Sequence, residues 1–255
     1  MILHTADGTK LFGILNQAKE KNDKIVILCH GITADKDEEG IFVELSSALT
    51  SQGIDCFRFD FRGHGESKET QEDITIAGEL VDLETVFEWV KRGYKRIGLL
   101  GASFGGGVAS LFASFNQKYV HGLVLWNPSL DFTQYLVPKT EWKKKYFGEE
   151  AFQRALNLGY TQIGNSRFKF GIKIFNEVRF IKPYEALKKF PGPILFVHGD
   201  KDTYVPYEDS IKYSRLVGGK LTTIKGGQHG FQDDKRGREE VIKATVDFFN
   251  RSFYK

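Results

Sequence analysis

Short apolar runs alternate with amphipathic segments along most of the chain. The apolar runs are rich in Ile, Leu, Val and Phe, and turn-forming residues follow most of them, which is typical of buried strands. The segments between them carry apolar residues at helical spacing. Strands that alternate with helices predict a mostly parallel sheet with helices on both faces.

This pattern predicts the order of the elements. An N-terminal hairpin is expected from two short apolar runs at 2–4 and 11–15, joined by a turn at Asp7-Gly8. The further strands are predicted at residues 24–29, 54–59, 96–100, 122–126, 194–198 and 221–224. The helices are predicted near residues 41–51, 76–92, 105–116, 207–216 and 237–249.

One interval, between the strands at 122–126 and 194–198, breaks the alternation. A crossover between parallel strands needs about a dozen residues, and this interval is several times longer. Residues 131–182 are therefore predicted to be an inserted cap, with 1–130 and 183–255 forming the core domain. The insertion follows the carboxyl end of a strand, where open α/β sheets bind ligands. Its aromatic residues predict either an apolar acyl or aryl pocket or a small core of the insertion itself: Phe132, Tyr135, Trp142, Tyr146 and Phe147.

Composition narrows the possible partners. The 255 residues are 41% hydrophobic and 27% charged, with a net charge of +3, so one large core fits the length. Because the charges are mixed and no basic run occurs, nucleic acid is not an expected partner. The densest basic cluster, at residues 143–145, is typical of a solvated helix face.

The location and cofactors follow from what the sequence lacks. It has no apolar run near the ~20 residues that span a bilayer and no signal-peptide pattern at its start, so a soluble, cytoplasmic protein is expected. The two cysteines, Cys29 and Cys56, lie in apolar runs and form no zinc or disulfide framework. Neither a metal nor a cofactor is predicted, and a homodimer is left open.

The motif Gly-Ala-Ser-Phe-Gly at residues 101–105 carries the first chemical signal. It follows an apolar strand and precedes an apolar-periodic helix, the context in which G-x-S-x-G lifts a nucleophilic serine onto a sharp turn. The string alone also fits an incidental Gly-rich turn or a phosphate loop, but no Walker lysine follows it. Ser103 is therefore the predicted nucleophile.

The base and the acid are sought after Ser103, because the triad in such folds runs in the order Ser, acid, His. Only His229, in a glycine-flanked loop after the last predicted strand, follows every plausible acid. Asp200 and Asp202 both follow the strand at 194–198, and spacing leaves the choice between them open. Asp131 is a more distant third candidate.

These motifs together resemble the α/β-hydrolase superfamily over nearly the whole chain. Its Gly-x-x-Asp-x-x-Val-Pro pattern is matched at residues 199–206, which implies Asp202 as the acid. His30-Gly31 resembles the superfamily's oxyanion loop, and DFRGHGES at 60–67 is similar to its D-x-R-G-H-G-x-S turn. The stretches CHGITADKDE, DITIAGELVDLETVFEWV and NEVRFIKPYEALKKFPGPILFVHGDKD resemble bacterial cinnamoyl (feruloyl) esterases and related short-chain carboxylesterases.

The resemblance implies a hydrolase of carboxylic esters that works through an acyl-enzyme. The expected oxyanion donors are the backbone amides of Phe104, next to the nucleophile, and Ile32. Phe104 replaces the Gln usual in that esterase group and is expected to make the pocket beside Ser103 more apolar. A small-molecule ester is the expected partner, and the expected substrate-binding side chains in the cap are Asp131, Gln134 and Tyr135.

Other functions share the same residues. A thioesterase or a small-peptide or amide hydrolase would use the same acylation step. A non-catalytic, ligand-binding member of the fold is a further alternative, although such proteins often lose a triad residue and all three candidates are present here.

Overall fold

A computed structural model describes residues 1–231 and 235–253 of the chain. Its centre is an eight-stranded sheet in the order β1-β2-β4-β3-β5-β6-β9-β10, in which β2 pairs antiparallel with β1 and β4 and the other pairs are parallel. The strands are β1 Ile2–His4, β2 Lys10–Asn16, β3 Lys24–Cys29, β4 Asp55–Phe59, β5 Arg96–Ala102, β6 Val120–Trp126, β7 Tyr160–Ile163, β8 Phe168–Gly171, β9 Ile194–Gly199 and β10 Lys220–Ile224. The predicted hairpin and the mostly parallel sheet are confirmed.

Helices cover both faces of this sheet. Within the described residues they are α1 Ile41–Ser51, α2 Ile76–Lys91, α3 Ser103–Phe115, α4 Glu141–Tyr146, α5 Glu149–Leu158, α6 Ile172–Glu177, α7 Pro183–Leu187, α8 Tyr207–Leu216 and α9 Lys235–Ser252. Four 3-10 turns lie at Glu38–Gly40, Gln71–Asp73, Phe132–Tyr135 and His229–Phe231. No helix in the described part of the chain is long and apolar enough to cross a membrane.

The core divides into two apolar clusters because strand side chains alternate between the faces of the sheet. On β3, Ile25 and Ile27 belong to one cluster, while Val26 and Leu28 belong to the other. The first cluster includes side chains of α2 and α3, and the second includes side chains of α1 and α9. All six residues of β3 are buried, which explains why its sequence is apolar without alternation.

The segment 131–182 contains α4, α5, α6 and the antiparallel pair β7–β8; we call it the cap segment. Its buried aromatic residues belong to the same cluster as Val108 and Leu111 of α3, so the segment does not have a separate core. The aromatic residues that join it to the main core are Phe132, Tyr135, Phe147, Phe168, Phe170 and Phe175. The cap segment therefore packs against α3, the helix that begins at Ser103.

Candidate active site

Ser103 lies on a sharp turn between β5 and α3, as its motif predicts. Its backbone is in the left-handed region, with φ 50°, which is unfavourable for a residue other than glycine. A Cβ at Gly101 would come within 2.5 Å of the Gly105 carbonyl oxygen, and one at Gly105 within 2.2 Å of the His30 carbonyl oxygen. Both glycines are required because backbone atoms occupy the space of a side chain.

A hydrogen-bonded series connects three of the predicted residues. His229 Nε2 lies 3.1 Å from Ser103 Oγ, and His229 Nδ1 lies 2.7 Å from Asp202 Oδ2. These distances are within hydrogen-bond range, and a base held between a hydroxyl and a carboxylate is the arrangement that activates a serine. The structure therefore brings Ser103, His229 and Asp202 together from three separate loops.

Asp202 has partners on both carboxylate oxygens. Oδ1 accepts the backbone N–H groups of Tyr204 and Val205, at 2.7 and 3.0 Å. Oδ2 meets His229 and also His198 Nε2, the latter at 3.1 Å. Burial by itself would raise the pKa of Asp202, but the charge of His229 and the hydrogen bonds from His198 and His229 hold it below its usual range.

His198 is a site residue that the sequence analysis missed. It is the penultimate residue of β9, where its Nδ1 lies 2.7 Å from Ser210 Oγ and its Nε2 faces both Val205 O and Asp202. It follows that two histidines share one carboxylate oxygen. A histidine near the end of an apolar strand gives no sequence signal that distinguishes contact with the Asp202 carboxylate from ordinary packing in the core.

Asp200, the competing acid, has another partner. Its Oδ1 accepts the backbone N–H of Gly226 at 2.6 Å, and its own N–H donates to Ile224 O at 3.1 Å. Asp200 therefore ties the loop after β9 to the loop after β10, the loop that carries His229. Of the two carboxylates, Asp202 is the one within hydrogen-bond distance of the His229 imidazole.

Two backbone amides flank Ser103. Phe104 follows it in the first turn of α3, where amide groups have no intrahelical partner, and Ile32 lies in the loop after β3. That loop is close to Ser103, since a Cβ at Gly31 would be 3.3 Å from Ser103 Cβ. His30 Nδ1 lies 2.8 Å from Gly31 O, and in a planar peptide this also fixes the direction of the Ile32 N–H.

The turn at residues 60–67 is hydrogen-bonded to the loop after β3. His64 Nε2 lies 2.8 Å from Ile32 O, and His30 Nε2 accepts the Phe61 N–H at 3.0 Å. Burial lowers the pKa of His64, although its contacts with backbone carbonyls oppose this, and burial also lowers the pKa of His30. Both rings therefore connect the loop after β3 to the turn at residues 60–67 through hydrogen bonds to the backbone.

Glu38 is a second carboxyl group beside the series, and no motif in the sequence pointed to it. Its Oε2 accepts the Gly31 N–H at 2.8 Å, and it lines the same cavity as Ser103 and His229. Burial raises the pKa of Glu38 to about 7, while the Gly31 amide and His229 lower it. Glu38 is tied to the loop after β3 through this one backbone hydrogen bond.

A cavity of about 310 Å³ opens above Ser103 and His229. Of the three side chains predicted to bind substrate, Tyr135 lines it, whereas Asp131 and Gln134 are not among its described lining residues. Asp131 instead accepts hydrogen bonds from the backbone N–H and the hydroxyl of Thr133, and Gln134 is 1% exposed. Their own hydrogen bonds hold both side chains away from the cavity.

The expectation for the Phe104 side chain was wrong. The ring is 1% exposed and stacks on Phe132, with centroids 4.8 Å apart, so it packs beneath the cap segment and not in the cavity wall. The aromatic wall comes instead from Tyr135, Trp142 and Tyr204. The Phe104 ring thus contacts the cap residues Phe132 and Tyr135 and does not line the cavity.

A stack of rings covers the base. Tyr204 lies over His229 with centroids 4.7 Å apart, and Trp142 of α4 lies over Tyr204 at 4.5 Å, both nearly parallel. Such stacking restrains the imidazole and limits its exposure to water. Since Trp142 belongs to the cap segment and Tyr204 to the core, the stack also joins the two at the cavity.

The basic cluster on α4 differs from its prediction as a solvated face. Lys144 and Lys145 are exposed, but Lys143 is buried and forms part of the cavity wall. The helix has only six residues, and in it Trp142 stacks on Tyr204 while Lys143, the next residue, is buried. The sequence does not distinguish these three lysines from one another, because tertiary packing determines which of them is buried.

Comparison with known families gives one match that covers half of the chain. The sequence model described as "Serine aminopeptidase, S33" matches residues 20–156. This region includes the oxyanion loop, the turn at 60–67 and the G-x-S-x-G motif.

The individual relatives described next share about a quarter of their residues with this chain. A solved structure of Est1E from Butyrivibrio proteoclasticus, with ferulic acid bound, is 25% identical, covers 100% of both chains and has a TM-score of 0.85. The human serine hydrolase BPHL is 24% identical over 91% of this chain and 81% of its own length. A proline iminopeptidase from Saccharolobus solfataricus is 25% identical over 94% of this chain and 90% of its own.

Proposed function

The chain belongs to the S33 serine aminopeptidase family of α/β-hydrolases, and on that premise we propose that it is a serine hydrolase that cleaves carboxylic esters. The observation that carries the proposal is the series of hydrogen bonds from Ser103 through His229 to Asp202, at 3.1 and 2.7 Å. Esterase and lipase relatives of the same fold support the ester as substrate class.

In the proposed reaction, Ser103 Oγ attacks the acyl carbon while His229 Nε2 takes its proton. Asp202 keeps the Nδ1–H tautomer of the imidazole and stabilises the imidazolium that forms. The negative oxygen of the tetrahedral intermediate accepts hydrogen bonds from the backbone N–H groups of Ile32 and Phe104, each worth about 3 kcal/mol in the transition state.

The second half of the reaction uses the same groups. The imidazolium of His229 gives its proton to the departing alkoxide, which leaves Ser103 acylated. Water then enters, and it attacks the acyl carbon while His229 removes one of its protons. As the second tetrahedral intermediate collapses and the acid leaves, His229 returns that proton to Ser103 Oγ and restores the serine hydroxyl. The left-handed backbone at Ser103 keeps Oγ in place for both steps.

A peptidase is the second candidate, because the family description and the archaeal relative both name that activity. An aminopeptidase must accept the ammonium group of its substrate. Here the buried residue Lys143 lines the cavity, and its positive charge repels a second cation. The ester is therefore the better-supported substrate.

The test measures hydrolysis of p-nitrophenyl esters of increasing acyl length, methyl cinnamates, acyl-CoA thioesters and aminoacyl p-nitroanilides. Ser103→Ala is expected to lower kcat on the preferred substrate by about 10⁶-fold, the size of loss known for triad members of serine proteases. Ser47→Ala, at an exposed position on α1, is the matched control and keeps full activity.

A fluorophosphonate probe separates the nucleophile from the substrate choice. Wild type is expected to become labelled at Ser103, whatever ester it prefers, and Ser103→Ala is expected to remain unlabelled. Equal labelling or equal turnover of the two proteins would contradict Ser103 as nucleophile. If Ser103 is labelled and only the aminoacyl p-nitroanilides are hydrolysed, the protein is a peptidase and the esterase proposal is wrong.

A further inference from the structure

Lys143 is a buried cation in the wall of the proposed active-site cavity. It is 1% exposed, although it lies on a short surface helix whose neighbouring lysines are in water. Its residue lines the cavity together with Ser103 and His229. Lysine is rarely buried to this extent unless its ammonium has a partner, so the contacts of Nζ decide what it does.

Those contacts do not give the ammonium of Lys143 a direct counter-charge. Nζ donates one long hydrogen bond, 3.4 Å, to Gln134 Oε1, and it lies 4.7 Å from the centre of the Tyr135 ring. Gln134 in turn donates to Asp209 Oδ2 at 2.5 Å, so this amide connects Lys143 to the carboxylate of Asp209. Among the described carboxylates none forms an ion pair with Lys143, and an ammonium has three hydrogens to donate.

The charges around Lys143 favour its protonated form but do not replace the lost water. Burial lowers the pKa of Lys143 to about 8, while Asp209, Asp131 and Asp202 raise it and Lys139 lowers it. The group therefore still carries a proton at neutral pH. A buried, charged donor with spare hydrogens at a cavity wall is a site for an anionic acceptor.

We propose that Lys143 binds a carboxylate carried by the substrate, so that the preferred esters are acidic ones. The inference rests on the proposed esterase function and specifies that the preferred ester carries a negative charge. Tyr135 and Trp142, beside Lys143 in the wall, would pack against the apolar part of such an ester. A cation in this position also excludes substrates with a free amine.

The experiment compares acidic and uncharged esters of equal length. One arm uses monomethyl succinate, glutarate, adipate and pimelate beside methyl esters of the matching monocarboxylic acids. The other arm places the carboxylate on the alcohol side, with O-butyryl hydroxy acids beside alkyl butyrates. In each arm the quantity measured is the ratio of kcat/KM for the acidic ester to that for its uncharged partner.

In wild type the best acidic ester is expected to exceed its partner by about tenfold to a hundredfold, the worth of a hydrogen bond to a charged group. Lys143→Met keeps the length of the side chain and is expected to lower this ratio by the same factor. Lys144→Met, at an exposed position one residue away, is the matched control and is expected to leave the ratio unchanged.

The outcomes separate this inference from the esterase proposal. If Lys143 only ties the cap segment to Asp209 through Gln134, Lys143→Met lowers both rates together, and an unchanged ratio overturns the inference. Wild type that hydrolyses uncharged esters and shows no preference for acidic ones in either arm also overturns it, while the esterase stands. If wild type hydrolyses neither kind of ester, the esterase proposal fails first.

Discussion

Asp202→Asn exchanges one oxygen of the site for an amide nitrogen and leaves its shape unchanged. The Oδ1 position accepts two backbone N–H groups, from Tyr204 and Val205, so the remaining oxygen of the amide stays there. The new NH₂ group then faces His229 Nδ1, where the carboxylate oxygen lay at 2.7 Å. Because two donors cannot share this contact, the imidazole is forced into its Nε2–H tautomer.

In that tautomer His229 points a hydrogen at Ser103 and has no lone pair to receive the serine proton. We expect kcat to fall by about 10⁴-fold, which corresponds to roughly 5 kcal/mol of transition-state stabilisation. This is smaller than the loss expected for Ser103→Ala, because the nucleophile and the oxyanion donors remain. His198 faces the same Oδ2 at 3.1 Å, so some loss of thermal stability should accompany the change.

The assay is kcat on the best p-nitrophenyl ester at neutral pH, at a temperature where circular dichroism shows the variant folded. Asp200→Asn is the matched control, since Asp200 lies two residues earlier on the same loop and bonds Gly226 rather than His229. We expect its kcat to stay within a few-fold of wild type. Asp202→Asn retaining a tenth of wild-type activity, or Asp200→Asn losing as much, would refute the assignment of the acid.

Two further changes test the support around the nucleophile. Gly105→Ala puts a Cβ 2.2 Å from the His30 carbonyl oxygen, so urea unfolding should show a loss of about 3 kcal/mol or more; Gly93→Ala, where no heavy atom lies within 4 Å, should be harmless. Glu38 has its pKa raised by burial from 4.5 to about 7, so between these values the folded protein holds a proton that the unfolded chain has released. Stability should therefore fall as pH rises through this window, by at most about 1.4 kcal/mol per pH unit, and urea unfolding of Glu38→Gln should lack this component of the slope.

Local sequence determined most of the fold, because the signals involved are local ones. The strand at Lys24–Cys29 coincides with its prediction, and the other predicted strands and helices differ from the structure by a few residues at most, whereas the short helix Pro183–Leu187 was not predicted. Apolar runs, turn residues and the G-x-S-x-G context fix these elements without reference to distant parts of the chain. The same holds for Ser103 and His229, since each lies in a motif whose glycines impose the turn.

The tertiary structure decided which side chains share a space. Asp200 and Asp202 are equivalent by spacing, and only the approach of the loops after β9 and β10 assigns one to Gly226 and the other to His229. His198 looks like the end of a buried strand until the chain folds and brings it to the same carboxylate.

In the cap segment, the sequence determined the composition of the aromatic and basic residues, and packing determined their direction. Phe104 and Gln134 were expected at the substrate and are buried elsewhere, whereas Lys143 was expected in water and lies in the cavity wall. The physical reason is that burial depends on contacts between segments far apart in sequence. A short helix such as α4 carries too few residues for its own periodicity to say which side loses water.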